Sequence, residues 1–183
     1  EALVPDNSSF GSYDSEVVGS YYFEFRDSTV EPTFARAYVV SLLYSDHFLE
    51  AAQEIGKESS SLSASLREEL AEILLDRAIS RLPDHEFLIF ASMMPKPILN
   101  ERLENLMAQH ILSLGFPDLA ISFIEGVATL NAGEDRRILR ARAFLDLENF
   151  SEASAQLLGL SGPEVDEIRR QIIQSESNVN FEE

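Results

Sequence analysis

From Pro32 onward, apolar residues recur at helical spacing, and Gly, Pro, Asn or Asp interrupts them about every 12 to 20 positions. That rhythm leaves room for helices joined by short loops and predicts an all-α chain. The first segment opens on Pro32, whose fixed φ suits a first helical turn, and sends Phe34, Tyr38, Leu42 and Leu43 to one side. A second follows Ser45-Asp46 and carries Phe48, Leu49, Ala52 and Ile55 to Gly56. Ser65-Leu66-Arg67-Glu68 reads as a capping box opening a long helix that Pro83-Asp84 ends. The nearly continuous apolar run from Phe87 to Met93 is taken as a buried helix because helices flank it. The next helix runs from about Ile98 to Leu114 and stops at Gly115, and Pro117 starts another that reaches Val127. Asn131-Ala132-Gly133-Glu134, Asn149-Phe150-Ser151-Glu152 and Ser161-Gly162-Pro163-Glu164 repeat the cap pattern for helices ending near Leu147, Leu160 and Ile173.

The stretch before Pro32 differs. Residues 1–30 are rich in Ser, Gly, Asp and Asn, with one apolar patch at Tyr21, Tyr22, Phe23 and Phe25. Ser20 to Arg26 could form a strand, but a strand without a mate cannot satisfy its backbone, so an extended, partly disordered arm anchored by its aromatic rings is expected. The chain then divides into this arm, a helical domain over 31–175 and a disordered tail over 176–183. Asn7-Ser8-Ser9 matches a glycosylation acceptor, a triplet frequent by chance.

At 183 residues the chain is long enough for a real core without staples. It has no Cys, which excludes disulfides, thiolate metal sites and cysteine nucleophiles. A net charge of −18 argues against nucleic acid or anionic lipid as the main partner, because phosphate binding relies on clustered Lys and Arg. The longest apolar runs fall short of the roughly 18 to 20 residues a spanning helix needs, so no membrane insertion is expected. The sequence opens on Glu1 rather than methionine, which fits either a removed targeting segment or a boundary inside a longer protein; a periplasmic or otherwise exported location is expected over a cytoplasmic one.

Leu114-Gly115-Phe116-Pro117-Asp118-Leu119-Ala120 and Leu147-Glu148-Asn149-Phe150-Ser151-Glu152-Ala153 align with their alanines 33 positions apart, and Ser45 to Ala51 lies about two such periods upstream. A small residue early in the second helix of each pair lets the two helices approach closely. This spacing resembles the tetratricopeptide repeat (TPR), a helix-turn-helix unit of about 34 residues. Ala108, Ile111, Gly115, Ala120, Ile124 and Val127 stand at its positions in one unit, and Ala141, Phe144, Phe150, Ala153 and Leu157 in the next. The chain departs from the pattern in having no Trp, no Leu-Gly pair in the first helix, and Ala132 where a proline usually closes the unit. The resemblance implies antiparallel helix pairs stacked as a right-handed α-solenoid. It also implies a noncatalytic protein-interaction module, with acidic bacterial secretion chaperones and envelope scaffold subunits as analogues.

On that resemblance, a peptide or partner domain would lie along the first helices of successive pairs, against Tyr38, Arg67, Arg77, Arg102, His110, Arg137 and Arg140. Arg136, Arg137, Arg140 and Arg142 fall within one helix. They either clamp a partner's carboxylate or phosphate or, more ordinarily in so acidic a chain, pair with Glu134, Asp135, Asp146 and the acids of adjacent helices. His47, His85 and His110 lack metal-ligand spacing and read as structural, and no sequence feature calls for a cofactor. The competing readings are a helical hydrolase using a carboxylate pair, of which Glu68-Glu69 and Glu134-Asp135 are examples, and a structural segment of a larger repeat protein.

Overall fold

A computed structural model describes residues 15–26, 28–57, 61–95, 99–125 and 132–179. Among them are ten helices and no strand. They are α1 (Ser15–Glu24), α2 (Glu31–Tyr44), α3 (Phe48–Gly56), α4 (Ala64–Arg81), α5 (Asp84–Met93), α6 (Glu101–Ser113), α7 (Pro117–Ile124), α8 (Glu134–Asp146), α9 (Phe150–Gln156) and α10 (Pro163–Val179). The chain divides into two compact units, Glu1–Asn100 and Glu101–Glu183, so the expected single helical domain over 31–175 falls across both. The glycosylation triplet and the last four residues lie outside the described residues.

In the first unit α1 packs on α2, α2 on α3, and α3 on α4, with further contacts of α2 with α4 and α3 with α5. Its core alternates large and small side chains: Phe48, Ile55, Leu70, Leu74 and Phe87 around Ala51, Ala52 and Ala78, all at most 3% exposed. The expected extended arm is here a helix. α1 buries Tyr22 against the Tyr38 ring (5.5 Å between centroids), while Tyr21 and Phe25, one turn apart, both stack on Phe34. Gly19 makes the approach possible, since a Cβ there would stand 3.0 Å from the Tyr38 ring. The helical form satisfies the backbone within the segment, which an unmated strand could not do.

In the second unit α6 packs on α7, α7 on α8 and α8 on α9, and α8 also contacts α6 and α10. Ile138, Ala141, Ala153, Leu157, Val165, Ile168 and Ile172 form one cluster from α8, α9 and α10. Ala108, Ala120, Ala141 and Ala153 are completely buried, as close helix pairing requires.

Three helix pairs turn by the same backbone device. Asp46, Gly115 and Glu148 have φ of 58°, 85° and 57°, and in each turn two amides bond back to the departing helix. Gly115 N–H reaches Leu112 O and Phe116 N–H reaches Ile111 O; Glu148 and Asn149 do the same to Leu145 and Phe144, and Asp46 and His47 to Leu43 and Leu42. This is the Schellman arrangement, which closes the last open carbonyls of a helix. The next helix then begins with Ala51, Ala120 or Ala153 bonding to the residue four before it.

Some boundaries differ from those expected. Ser63, not Ser65, caps α4 and accepts from Leu66 N–H. Gly133 occupies the cap position of α8. α9 ends at Gln156 rather than Leu160, with Gly159 in the left-handed region just beyond. α10 continues to Val179, past the point where the tail was expected to begin. Among the described residues no helix is long and apolar enough to cross a membrane.

Candidate functional site

The arginines of α8 do not act together as a clamp. Arg136, 2% exposed, lies beneath α6, where its Nε donates to Asn105 Oδ1 at 2.9 Å and its Nη2 donates to the Glu104 carboxylate and the Glu101 carbonyl. Arg137 Nε donates to Gln156 O at 2.9 Å and its Nη2 to Leu158 O. Arg140 is buried and donates to Ile124 O at the end of α7. Burial, and then the Arg136 charge, pull its pKa down from the usual arginine value. Arg142, on the opposite side, pairs with Glu164 of α10 at 2.8 Å. All four therefore satisfy carbonyls or carboxylates within the unit: Arg136 and Arg142 reach acids of adjacent helices, the more ordinary outcome that the sequence allowed, while Arg137 and Arg140 bond main-chain oxygens instead.

The remaining predicted positions divide between the two units. In the first, Tyr38 lies half-buried among Tyr22 and Phe23. Arg67 donates to Leu62 O, and Arg77 donates to Leu43 O at 3.1 Å while standing over the Tyr44 ring. In the second, His110 is half-buried on α6 and its carbonyl accepts from Ser113 Oγ. Arg102 alone of the seven lines an open groove of that unit.

That groove is a concave surface built within the second unit. Two adjoining hollows, of about 650 and about 740 Å3, share Gln109, Leu139, Arg142 and Glu164 and run along α6, α8 and α10. The lining follows the repeat: Arg102, Leu106, Gln109, Leu112 and Ser113 on α6 correspond, 33 positions on, to Asp135, Leu139, Arg142, Leu145 and Asp146 on α8. Glu134 and Asp135 continue the series to Glu167 and Ile168 on α10. The sequence contained this signal, because the offset that aligned the buried alanines also aligns the groove positions. What it lacked was the helical phase that turns Leu106 and Leu139 toward the groove and leaves Arg137 and Arg140 off its lining.

The groove has an apolar floor and an acidic rim. Leu106, 39% exposed, lies with Leu112, Ile138, Leu139 and Leu145 along the floor. The rim carries Glu101, Glu134, Asp135, Asp146, Glu164 and Glu167 against Arg102 and Arg142. Glu101 lies near Arg136, and Glu164 and Glu167 pair with Arg142 and Arg170. Glu134, Asp135 and Asp146 have no ion-pair partner among the described residues. No group of three His, Asp or Glu converges as metal ligands would among the described residues. No family model, curated protein or solved structure matches the chain.

Proposed function

We propose that the chain is a noncatalytic protein-interaction module whose units are short stacks of TPR-like helix pairs, and that the groove along α6, α8 and α10 is its working surface. The observation that carries this reading is the groove's construction from equivalent positions of three alternate helices, with exposed leucine on its floor. Leu106 is 39% exposed, unlike the closely packed Leu103 and Met107 beside it. An apolar hollow open to water gains free energy when a partner covers it, at roughly 25 cal/mol per Å2 removed from solvent. The left-handed turns at Asp46, Gly115 and Glu148 and the buried alanines at a 33-residue offset support the TPR-like assignment. Binding would select by shape and charge, with the buried arginines serving the scaffold.

The test places a photo-crosslinking amino acid at Leu106 in one sample and at Leu158 in another, each in the full chain incubated with native extract. Leu158 is 71% exposed and lies outside the groove lining. A partner captured at 106 and not at 158 is the expected result. Equal labelling at both positions, or none at 106, overturns the assignment.

A further inference from the structure

We infer that the groove's occupant is a cationic amphipathic segment of another protein, with Lys or Arg flanking its apolar side chains. This rests on the groove being a binding surface and specifies what it selects. The sequence left an anionic ligand open as the less ordinary reading of the α8 arginines, with Arg137 and Arg140 among the candidate groove residues. Their guanidinium groups donate instead to Gln156 O, Leu158 O and Ile124 O, and neither side chain is on the groove lining. Of the two arginines on the lining, Arg142 is held by Glu164. Glu134, Asp135 and Asp146 remain on the rim with no ion-pair partner among the described residues. They stand at opposite ends of α8, so the negative rim extends along the groove rather than sitting only at a helix start.

An anionic segment would have to bring its charge beside these carboxylates at a cost in repulsion, whereas a Lys or Arg seated there would gain a short-range partner at the groove edge. The leucine floor separates this from general attraction of polycations to an acidic surface, because it rewards apolar side chains between the charges. The chain's own arginine-rich stretch is α8, which already forms one wall of the groove.

The probe is a synthetic amphipathic peptide of Leu and Lys with Leu at i, i+3, i+4 and i+7 and a single Trp. Its fluorescence reports alone, since the protein contains no Trp. The comparison peptides replace every Lys with Gln or with Glu. The expected result is binding of the Lys peptide, weaker by at least tenfold for the Glu peptide and for the E134Q/D135N/D146N protein. Leu106→Ser weakens it too. E69K/D76K, placed on α4 of the first unit, should leave it within a factor of two. Equal binding of the Gln and Lys peptides leaves the groove as a binding surface and overturns the cationic selection. A loss as large in E69K/D76K as in the groove variant reduces the effect to net charge and overturns it as well. Absence of binding by all three peptides counts against both the selection and the groove, and the crosslink at Leu106 then separates the two. Circular-dichroism melts of every variant confirm that the fold is retained.

Discussion

Arg137 Nε donates to the main-chain oxygen of Gln156 at 2.9 Å, across nineteen positions of sequence, and so closes the C-terminal end of α9 from the neighbouring helix. Arg169 reaches the same end from α10, donating to Leu157 O and Leu160 O at 3.0 Å. Carbonyls at a helix end have no partner within the helix, and positive charge there opposes the negative end of its dipole. α9 is only seven residues long, too short to persist by itself, and these two side chains hold its exit against α8 and α10.

Arg137→Ala should therefore destabilise the second unit by about 1 to 2 kcal/mol, the range for losing hydrogen bonds from a charged donor to acceptors that water can partly reach. Peptide binding per folded molecule should hold within a factor of two. Chemical denaturation gives the first quantity and titration of the Leu/Lys peptide the second. A fully stable variant that has lost binding would return Arg137 to the groove.

Arg136 joins α8 to α6 through three different acceptors, and its side chain is 2% exposed. Glu104 and Glu101 are 30% and 57% exposed, so water screens their side of the pair and limits its strength. Arg136→Ala removes the fork and leaves a cavity, and should cost about 2 to 3 kcal/mol. Arg136→Lys keeps the charge but cannot reach Asn105, Glu104 and the Glu101 carbonyl together, and should cost about half as much. Equal losses for the two variants would show that planar geometry, rather than charge or packing, is what this position requires.

The helices were legible because their apolar period is carried by many residues at once, whereas single-residue features were ambiguous. Asn149 was read correctly, and its side chain accepts from Glu152 N–H at 3.3 Å. Ser65 fits the capping motif because Glu68 completes it, yet in a run of alternating serines the backbone reaches the cap geometry two residues earlier, at Ser63. α1 was hidden because its aromatic residues occupy two faces: Tyr21 and Phe25 turn to Phe34, Tyr22 and Phe23 to Tyr38, so no single stripe emerges. The partners of the arginines were not legible for a different reason. Their acceptors in the second unit are largely main-chain oxygens, which every residue type carries and no sequence pattern marks.

The shared turn makes a paired prediction. Left-handed backbone costs a residue with a Cβ about 1 to 2 kcal/mol relative to right-handed, and Gly115 avoids that cost where Asp46 and Glu148 bear it. Gly115→Ala should destabilise the second unit by about 1 kcal/mol, and no neighbouring atom lies close enough for a clash to contribute. Glu148→Gly should instead be neutral or stabilising by up to about 1 kcal/mol, as relief of strain offsets the greater freedom of the unfolded chain. Thermal melts of the two variants check the opposite signs. A destabilising Glu148→Gly would mean that the Glu148 side chain contributes more than its backbone strain costs.

Tyr22 and Tyr38 give the first unit a dependence on alkaline pH. Burial, followed by the charge of Glu54, raises the pKa of both phenols above the usual tyrosine value of about 10. The folded state therefore holds these protons more tightly than the unfolded chain does. Stability from this source is fully present below about pH 10, where both states are protonated, and is lost as pH rises through the raised folded values. Alkaline titration followed by tyrosinate absorbance should show Tyr22 and Tyr38 ionising above the usual tyrosine value, together with the loss of helical circular dichroism. Tyr38→Phe removes one of the two protons and keeps a ring against Tyr22, so it should move the unfolding midpoint to higher pH. A midpoint that does not move would place the alkaline sensitivity elsewhere, whereas a fall in stability already at neutral pH would mean that the Tyr38 hydroxyl contributes a bond the ring alone does not replace.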